Sequence, residues 1–479
     1  MKISKIDERS LDADLGLALS LNGRELFSDL REQPLKLLVM SATLDGARIS
    51  QLLNGAPEIR SEGRMFPVEV RYGESYKYGE RIEERVAQVV LQALTDEQGS
   101  VLVFLPGVGE IRRVAAILQK DLRDVTETQV VPLYGDLSLQ EQRKAIQPAP
   151  QGQRKVVLAT NIAETSLTIE GVRVVVDSGL CREPEFDPRT GMTRLSTRRI
   201  ARSSAVQRTG RAGRLEAGVC YRLWSETQQD ELARYTTPEI LQADLLPLAL
   251  QMMQWGVKDL TELHWLDCPQ TSAWAQALDL LQRLGAIVRV DDAPRITEHG
   301  EAMAQLPLHP RLSHMLIRAR QWQRSDLALD LVTVLQERSA ALGQAVDLLQ
   351  RLKVLDSSSQ SGSGKQGAFR RLQRLRQQLS RTLDRMAMAE APQSVPEQLS
   401  REELAGVLLA CAYPDRVAAP REVTARNNNS GAYLLSNGRA AQLSGGDTSL
   451  AGRWLVVADL GGVKGQSQDR IYLGAAIDP

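Results

Sequence analysis

Hydrophobic and polar positions along the chain alternate between two periods. Leu11, Leu15, Ala18 and Leu19 recur at helical spacing within LDADLGLALSLNGRELF (11–27), and the run LKLLVM (35–40) that follows reads as a buried strand ending at Ser41-Ala42-Thr43. The spacing then predicts a helix near 80–96, a strand at 101–105, a helix at 110–119, and strands at 130–133, 156–159 and 172–176. Helices alternating with short, fully apolar strands predict a parallel sheet covered on both faces. From about residue 236 the pattern turns to helices alone, interrupted at GAIVRVDDAPRIT by two short strands around an Asp-Asp-Ala-Pro turn, which suits a winged-helix unit. Further helices cover about 312–353, SSSQSGSGKQG (357–367) has linker composition, and FRRLQRLRQQLSRTLDR follows it. Beyond 424, Gly and Asn turns between YLL, WLVVAD and RIYLGAAI predict a β-rich unit, and no internal repeat is present.

Composition narrows the class without naming a function. The 479 residues carry 59 Lys plus Arg against 59 Asp plus Glu, with 43% hydrophobic and 25% charged residues, which excludes disordered and collagen-like chains. The length predicts about three or four domains. Because the net charge is zero, nucleic-acid binding must come from local basic surface. Cys181, Cys220, Cys268 and Cys411 have no short spacing, so neither a disulfide framework nor a zinc site is expected. His264, His299, His309 and His314 likewise lack metal spacing and are assigned to structure. Charges at Asp7, Glu8 and Arg9 fall where a signal peptide needs its apolar run, and no membrane-length apolar stretch follows; the expected compartment is the cytoplasm, with no membrane partner.

Two segments carry chemistry. In LATNIAETSLTIEGVRVVVDSG (158–179), a strand leads into a polar loop holding Thr160, Asn161, Glu164, Thr165, Ser166 and Thr168, then into a second strand. A loop at the carboxyl end of a parallel strand is where open α/β sheets bind ligands, and its hydroxyl and amide groups suit sugar-phosphate oxygens. By itself it reads as a helix N-cap with solvated Ser and Thr. Some thirty residues on, after Arg198, Arg199 and Arg202, comes Gln207-Arg208-Thr209-Gly210-Arg211-Ala212-Gly213-Arg214. Small residues at 210, 212 and 213 allow close backbone approach, while Arg211 and Arg214 at helical spacing can converge on one phosphate. In isolation such an octamer is a solvated basic helix face; its pairing with the polar loop argues otherwise.

The sequence resembles the DEAH-box RNA helicases of superfamily 2, of the bacterial HrpB type. SATLD (41–45), LVFLPGVGEI (102–111), PLYGDLSLQEQRKAI (132–146), ATNIAETSLTIEGV (159–172), QRTGRAGR (207–214), TPEILQADL (237–245) and LPLHPRLSHML (306–316) carry the resemblance in order. It implies an α/β fold: a remnant of a first RecA-like lobe (1–68), a second RecA-like lobe (69–235), a winged helix (236–304), a helical bundle (305–400) with the linker at 357–367, and a partial β-rich C-terminal unit (401–479). It also implies that Ser41, Thr43, Ser166 and Thr168 couple nucleotide state to RNA contact, and that the loop from Thr160 to Thr168 holds the RNA backbone and helps to place the attacking water. Thr160, Asn161, Thr165 and Arg189 would meet the RNA backbone, Gln207 would face the γ-phosphate, and Arg211 and Arg214 would be arginine fingers, worth about 10³–10⁵ in rate. FDPRTGMTRL (186–195) falls where the family has a strand-separating hairpin, and a plain surface hairpin is its alternative. ATP, magnesium and RNA, single-stranded or duplex with an overhang, are the implied cofactors and partner.

The resemblance also exposes what these residues lack. A phosphate-cradling G-x-x-x-x-G-K-[ST] is absent: Gly364-Lys365 has Ser359 where the first Gly belongs and Gln366 in place of the hydroxyl. Glu8-Arg9-Ser10-Leu11 fits the continuation of the family's Asp-Glu-x-His box, which places the box itself on Ser4, Lys5, Ile6 and Asp7. The family's aromatic base-stacking residue has no counterpart near Ile146. The expectation is therefore that most of the first lobe lies outside this chain, that relatives continue beyond Pro479, and that these residues alone do not hydrolyse ATP. Three readings stay open: part of an RNA helicase, a non-enzymatic RNA- or partner-binding remnant, and a decayed or wrongly started reading frame. On the RNA-binding reading the arginine-rich segments near 189–214 and 370–385 offer phosphate contacts that weaken as salt rises; for 370–385 the alternative is a solvated amphipathic helix, because Phe369, Leu372, Leu375, Leu379 and Leu383 form an apolar stripe between the arginines.

Overall fold

The structure, a computed structural model, describes residues 2–4, 9–33, 35–41, 46–60, 66–77, 79–123, 127–165, 167, 169–188, 190–337, 342–357, 366–386, 399–421, 431–444, 449–461 and 468–478. They fall into two compact units, one of residues 1–185, 193–243 and 265–267, the other of 186–192, 244–264 and 268–479.

The first unit begins with β1 (Lys2–Ser4), α1 (Leu11–Leu26), β2 (Leu38–Met40) and α2 (Gly46–Leu52). Ser10 caps α1 by accepting the Ala13 N–H, and Leu17 and Leu21 turn inward. The apolar run ending at Met40 departs from expectation. Only three residues are strand, and Leu38 and Met40 are 56% and 38% exposed. The physical reason is topological: β2 pairs with β1 alone among the described residues, and Val39 packs against Leu17 and Leu21 of α1, so Leu38 and Met40 are left on the uncovered face.

The sheet proper is assembled from β3 (Val68–Tyr72), β4 (Ser100–Phe104), β5 (Thr128–Leu133), β6 (Arg154–Ala159), β7 (Val172–Asp177) and β10 (Gly218–Arg222), all parallel, in the order β3-β10-β7-β4-β6-β5. Every residue of β4 is buried, as its unbroken apolar run requires. Pro132 has no N–H to donate, and the sheet tolerates it because β5 is an edge strand paired only with β6. The helices α3 (Glu83–Asp96), α4 (Val108–Asp121), α5 (Leu139–Ile146), α6 (Ile162–Thr165), α7 (Arg202–Thr209) and α8 (Glu226–Asp230) complete the alternation. Val86, Val90 and Ala93 of α3 and Ile111, Val114 and Leu118 of α4 bury their stripes against one face of the sheet. The predicted hairpin exists as a two-stranded sheet of β8 (Leu180–Asp187) and β9 (Met192–Arg199).

The second unit opens with α9 (Leu246–Trp255) and α10 (Thr271–Arg283), then the antiparallel pair β11 (Ile287–Val290) and β12 (Ala293–Ile296). The predicted Asp-Asp-Ala-Pro turn is tighter than expected. Asp291 and Asp292 both take positive φ (51° and 58°), the signature of a two-residue primed turn, so Ala293 and Pro294 already belong to β12. Helices α11 (Glu298–Ala304), α12 (Pro310–Gln321), α13 (Ser325–Gln336), α14 (Leu348–Ser357), α15 (Gln366–Arg385) and α16 (Arg401–Ala412) follow. Of the predicted linker, residue 357 ends α14, 366 and 367 begin α15, and 358–365 lie outside the described residues. The expected β-rich unit is a closed barrel of β13 (Val417–Pro420), β14 (Ala432–Leu435), β15 (Ala440–Leu443), β16 (Leu455–Gly461) and β17 (Asp469–Ala476), with Tyr433 buried at its centre and donating from its hydroxyl to the Leu450 carbonyl at 2.6 Å. Closure leaves the barrel without a free sheet edge.

Candidate functional site

Parallel strands deliver their following loops to one edge of the sheet, and the two predicted motifs meet there. Strand β6 ends at Ala159; the Thr160 N–H then donates to the Leu133 carbonyl at 3.3 Å, and the Asn161 carbonyl accepts the Glu164 N–H at 2.8 Å, which tightens the chain into the single turn α6. Thr160 is half-buried and Asn161 exposed, so the first residues of the loop face outward. Thr165 ends α6, while Thr43, Ser166, Thr168 and Arg189 lie outside the described residues. Ser41 follows β2 and is exposed.

The arginine motif closes on this loop from α7. Arg208 is 1% exposed and ties three elements together: its Nε donates to Glu164 at 3.0 Å, and its Nη1 donates to Asp177 at 2.9 Å and to the Leu180 carbonyl at 3.2 Å. Its guanidinium also lies 4.8 Å from the centre of the Phe104 ring. Burial opposes the charge on Arg208, but Asp177 and Glu164 outweigh it, and the pKa rises. Arg211 is held by the loop itself, donating to the carbonyls of Leu167 (2.8 Å) and Glu164. Burial first, and then the neighbouring Arg214, push its pKa down to about 10, so it stays charged at neutral pH. Arg214 is exposed and Gln207 half-buried. The small residues act as expected: the Phe66 N–H donates to the Gly213 carbonyl at 2.9 Å, and a Cβ at Gly213 would stand 2.5 Å from the Phe66 carbonyl oxygen.

The sequence motif singles out Gln207, Arg211 and Arg214 and gives Arg208 no role of its own. The geometry makes Arg208 the buried post of the site and Arg211 a latch on the loop carbonyls. An acid closing the apolar run Val174-Val175-Val176, at Asp177, is the signal the sequence offers, because a carboxylate that deep demands a cation. The basic run before α7 is largely committed as well. Arg198 pairs with Glu185 at 2.7 Å, Arg199 with Glu231 at 3.2 Å, and Arg202 donates to the Leu232 carbonyl at 3.1 Å. A cleft of about 480 Å³ beside Tyr76, Ile82 and Thr197 contains none of the predicted site residues, and its Arg113 is neutralised by Glu83 and Glu110.

Magnesium does not fit these side chains. Glu164 and Asp177, the carboxylates of the site, both bind Arg208, and although the second oxygen of Asp177 is left unpartnered, no group of three His, Cys, Asp or Glu residues among those described is placed to hold a metal ion.

A parallel RecA-like sheet whose loop-and-arginine motifs interlock is the second lobe of a helicase, and comparison with known proteins agrees. Residues 84–216 match the helicase conserved C-terminal domain, and 277–308 match the winged-helix helicase associated domain HA2. The chain is similar to the ATP-dependent RNA helicase HrpB of Escherichia coli, 41% identical over 480 residues, covering 99% of this chain and 54% of that protein. It is also similar to the ATP-dependent RNA helicase DEAH12, chloroplastic, of Arabidopsis thaliana, 37% identical over 71% of this chain and 19% of that protein. The crystal structure of the E. coli DExH-box NTPase HrpB superposes with a TM-score of 0.79 at 40% identity, over 99% of this chain and 54% of that one. The chain belongs to the DEAH-box helicases of the HrpB type. It spans about half the length of its HrpB relative, 54%. Among the described residues no helix is long and apolar enough to cross a membrane.

Proposed function

We propose that the chain acts in ATP-dependent RNA unwinding in the cytoplasm, supplying the lobe that presents arginines to the γ-phosphate and holds the RNA backbone. Residues 1–68, 69–235, 236–304, 305–400 and 401–479 would then be, in turn, part of the first lobe, the second lobe, the winged helix, the bundle and part of the C-terminal unit. One observation carries the reading: Arg211 is anchored on the carbonyls of the same loop that begins with Thr160 and Asn161. RNA phosphates drawing on Thr160, Asn161, Thr165 and Arg189 shift that loop, and the shift frees Arg211 to turn toward a nucleotide. Ser41, Thr43, Ser166 and Thr168 pass the nucleotide state back to the RNA, and Gln207 and Arg214 complete the contact with the γ-phosphate. Charge placed on the transition state is the main source of rate in phosphoryl transfer, so the arginines are the part of the reaction this lobe contributes.

A second reading, RNA binding without catalysis by these residues, is favoured by the lack of a phosphate-cradling Gly-Lys-[ST] loop in the 479-residue sequence. Arginine fingers with no phosphate held opposite them stabilise nothing. Purified chain supplied with ATP, magnesium and oligouridylate is therefore expected to show no RNA-stimulated hydrolysis. Turnover that Arg211→Ala abolishes would show instead that these residues contain a complete hydrolytic site. Absence of oligouridylate binding at low salt would remove both readings.

A further inference from the structure

Outside the site, α15 carries a set of arginines that the fold does not use. Its 20 residues carry an apolar stripe in which Leu372, Leu379 and Leu383 are 2%, 1% and 2% exposed. On the flanks, arginines serve the bundle: Arg371 pairs with Glu337 at 3.4 Å, and Arg376 bridges Asp330 at 2.7 Å and Asp326 at 2.9 Å. The crest opposite the stripe behaves differently. Arg370, Arg374, Arg381 and Arg385 are all exposed, and none has a partner among the described residues. At 3.6 residues per turn they fall within about 60° of arc and extend about 22 Å along the axis.

We infer that this crest is a second contact for the RNA phosphate backbone, independent of nucleotide and separate from the loop at 160–168. The inference rests on the proposal that the chain acts on RNA, and the physical case for it is local. Like charges four residues apart repel on a helix face, so Arg370/Arg374 and Arg381/Arg385 are a cost the fold gains nothing from unless a polyanion relieves it. All four are arginine, whose planar fork takes phosphate oxygens two at a time. Each pair is about 6 Å apart along the axis, within reach of neighbouring phosphates on one strand. The other exposed residues on the crest are Gln373, Gln377, Gln378 and a single acid, Asp384. A protein partner would want an apolar or aromatic anchor there, and a membrane-surface helix would need its apolar face free; here that face is buried in the bundle.

The test uses the whole chain and a fluorescein-labelled oligouridylate of about 20 nucleotides, followed by anisotropy without nucleotide from about 50 to 200 mM salt. Replacing all four crest arginines by Gln is expected to weaken binding at least about tenfold at low salt and to lower the salt slope by about two to three, near 0.7 per lost single-strand phosphate contact. The fourfold Arg→Lys variant, which keeps the charges, is expected to keep most of the slope, separating charge from folding damage. Unchanged affinity and slope in the Gln variant would overturn this inference alone, whereas failure of the unsubstituted chain to bind would overturn the RNA reading with it. Displacement of the oligonucleotide by polyglutamate at equal charge concentration would assign the crest to an acidic protein segment and also overturn the inference.

Discussion

Two arginine-rich segments, 207–214 and 370–385, look alike as sequence and differ completely in the folded chain. Arg208 is 1% exposed and bonded to two carboxylates, whereas Arg370, Arg374, Arg381 and Arg385 stand on the outside of a helix with no partner among the described residues. The difference lies in what the neighbouring residues bury. Around 207–214, alanine and glycine at 212 and 213 let the backbone sink beside β3 and β10, so Arg208 goes inside onto two carboxylates and Arg211 onto two backbone carbonyls, while Arg214 stays exposed. On α15 the leucines take the buried face and leave the crest arginines to water. Arginine spacing by itself therefore says nothing about role; the size of the residues between the arginines does.

Graded substitutions sharpen the comparison. Arg208→Ala strands Glu164 and Asp177 without their cation, and removing one member of a buried pair costs about 3–5 kcal/mol. Amide exchange in β4, β6 and β7 is expected to accelerate by roughly a hundredfold or more, at about tenfold per 1.4 kcal/mol. Exchange within a few-fold of the unsubstituted chain would mean that Arg208 is not the post of the lobe. Arg376→Ala breaks a partly exposed bridge between α15 and α13, worth about 0.5 kcal/mol, and should raise exchange in those two helices only slightly. Arg374→Gln on the crest should leave stability within about 0.5 kcal/mol of the starting protein. A loss on the crest as large as that at Arg208 would erase the distinction.

Much of this architecture was legible beforehand. The alternation of apolar strands and amphipathic helices forecast the parallel sheet, since a strand buried on both faces has no polar positions to interrupt it. QRTGRAGR and ATNIAETSLTIEG forecast that the two motifs would meet. What sequence could not supply was direction. Nothing local distinguishes an arginine aimed at solvent from one turned onto a carbonyl or a carboxylate, so neither the bonds of Arg211 to the loop nor the burial of Arg208 is readable from the sequence. The run at 35–40 was misjudged for the complementary reason. Hydrophobicity forecasts that a strand is to be covered and not which described element covers it, and Leu38 and Met40 remain exposed. The crest of α15 emerged only once the bundle showed which of its arginines were already paired.

The most direct measurement of the central contrast is arginine footprinting: brief phenylglyoxal treatment of the native chain, with and without oligouridylate, followed by mass mapping of modified peptides. Arg370, Arg374, Arg381 and Arg385 are predicted to react first and to be protected by RNA, with Arg208 unmodified until the chain unfolds and Arg211 slow unless the loop is displaced. Reaction of Arg208 as fast as Arg374, or crest arginines indifferent to RNA, would contradict the account.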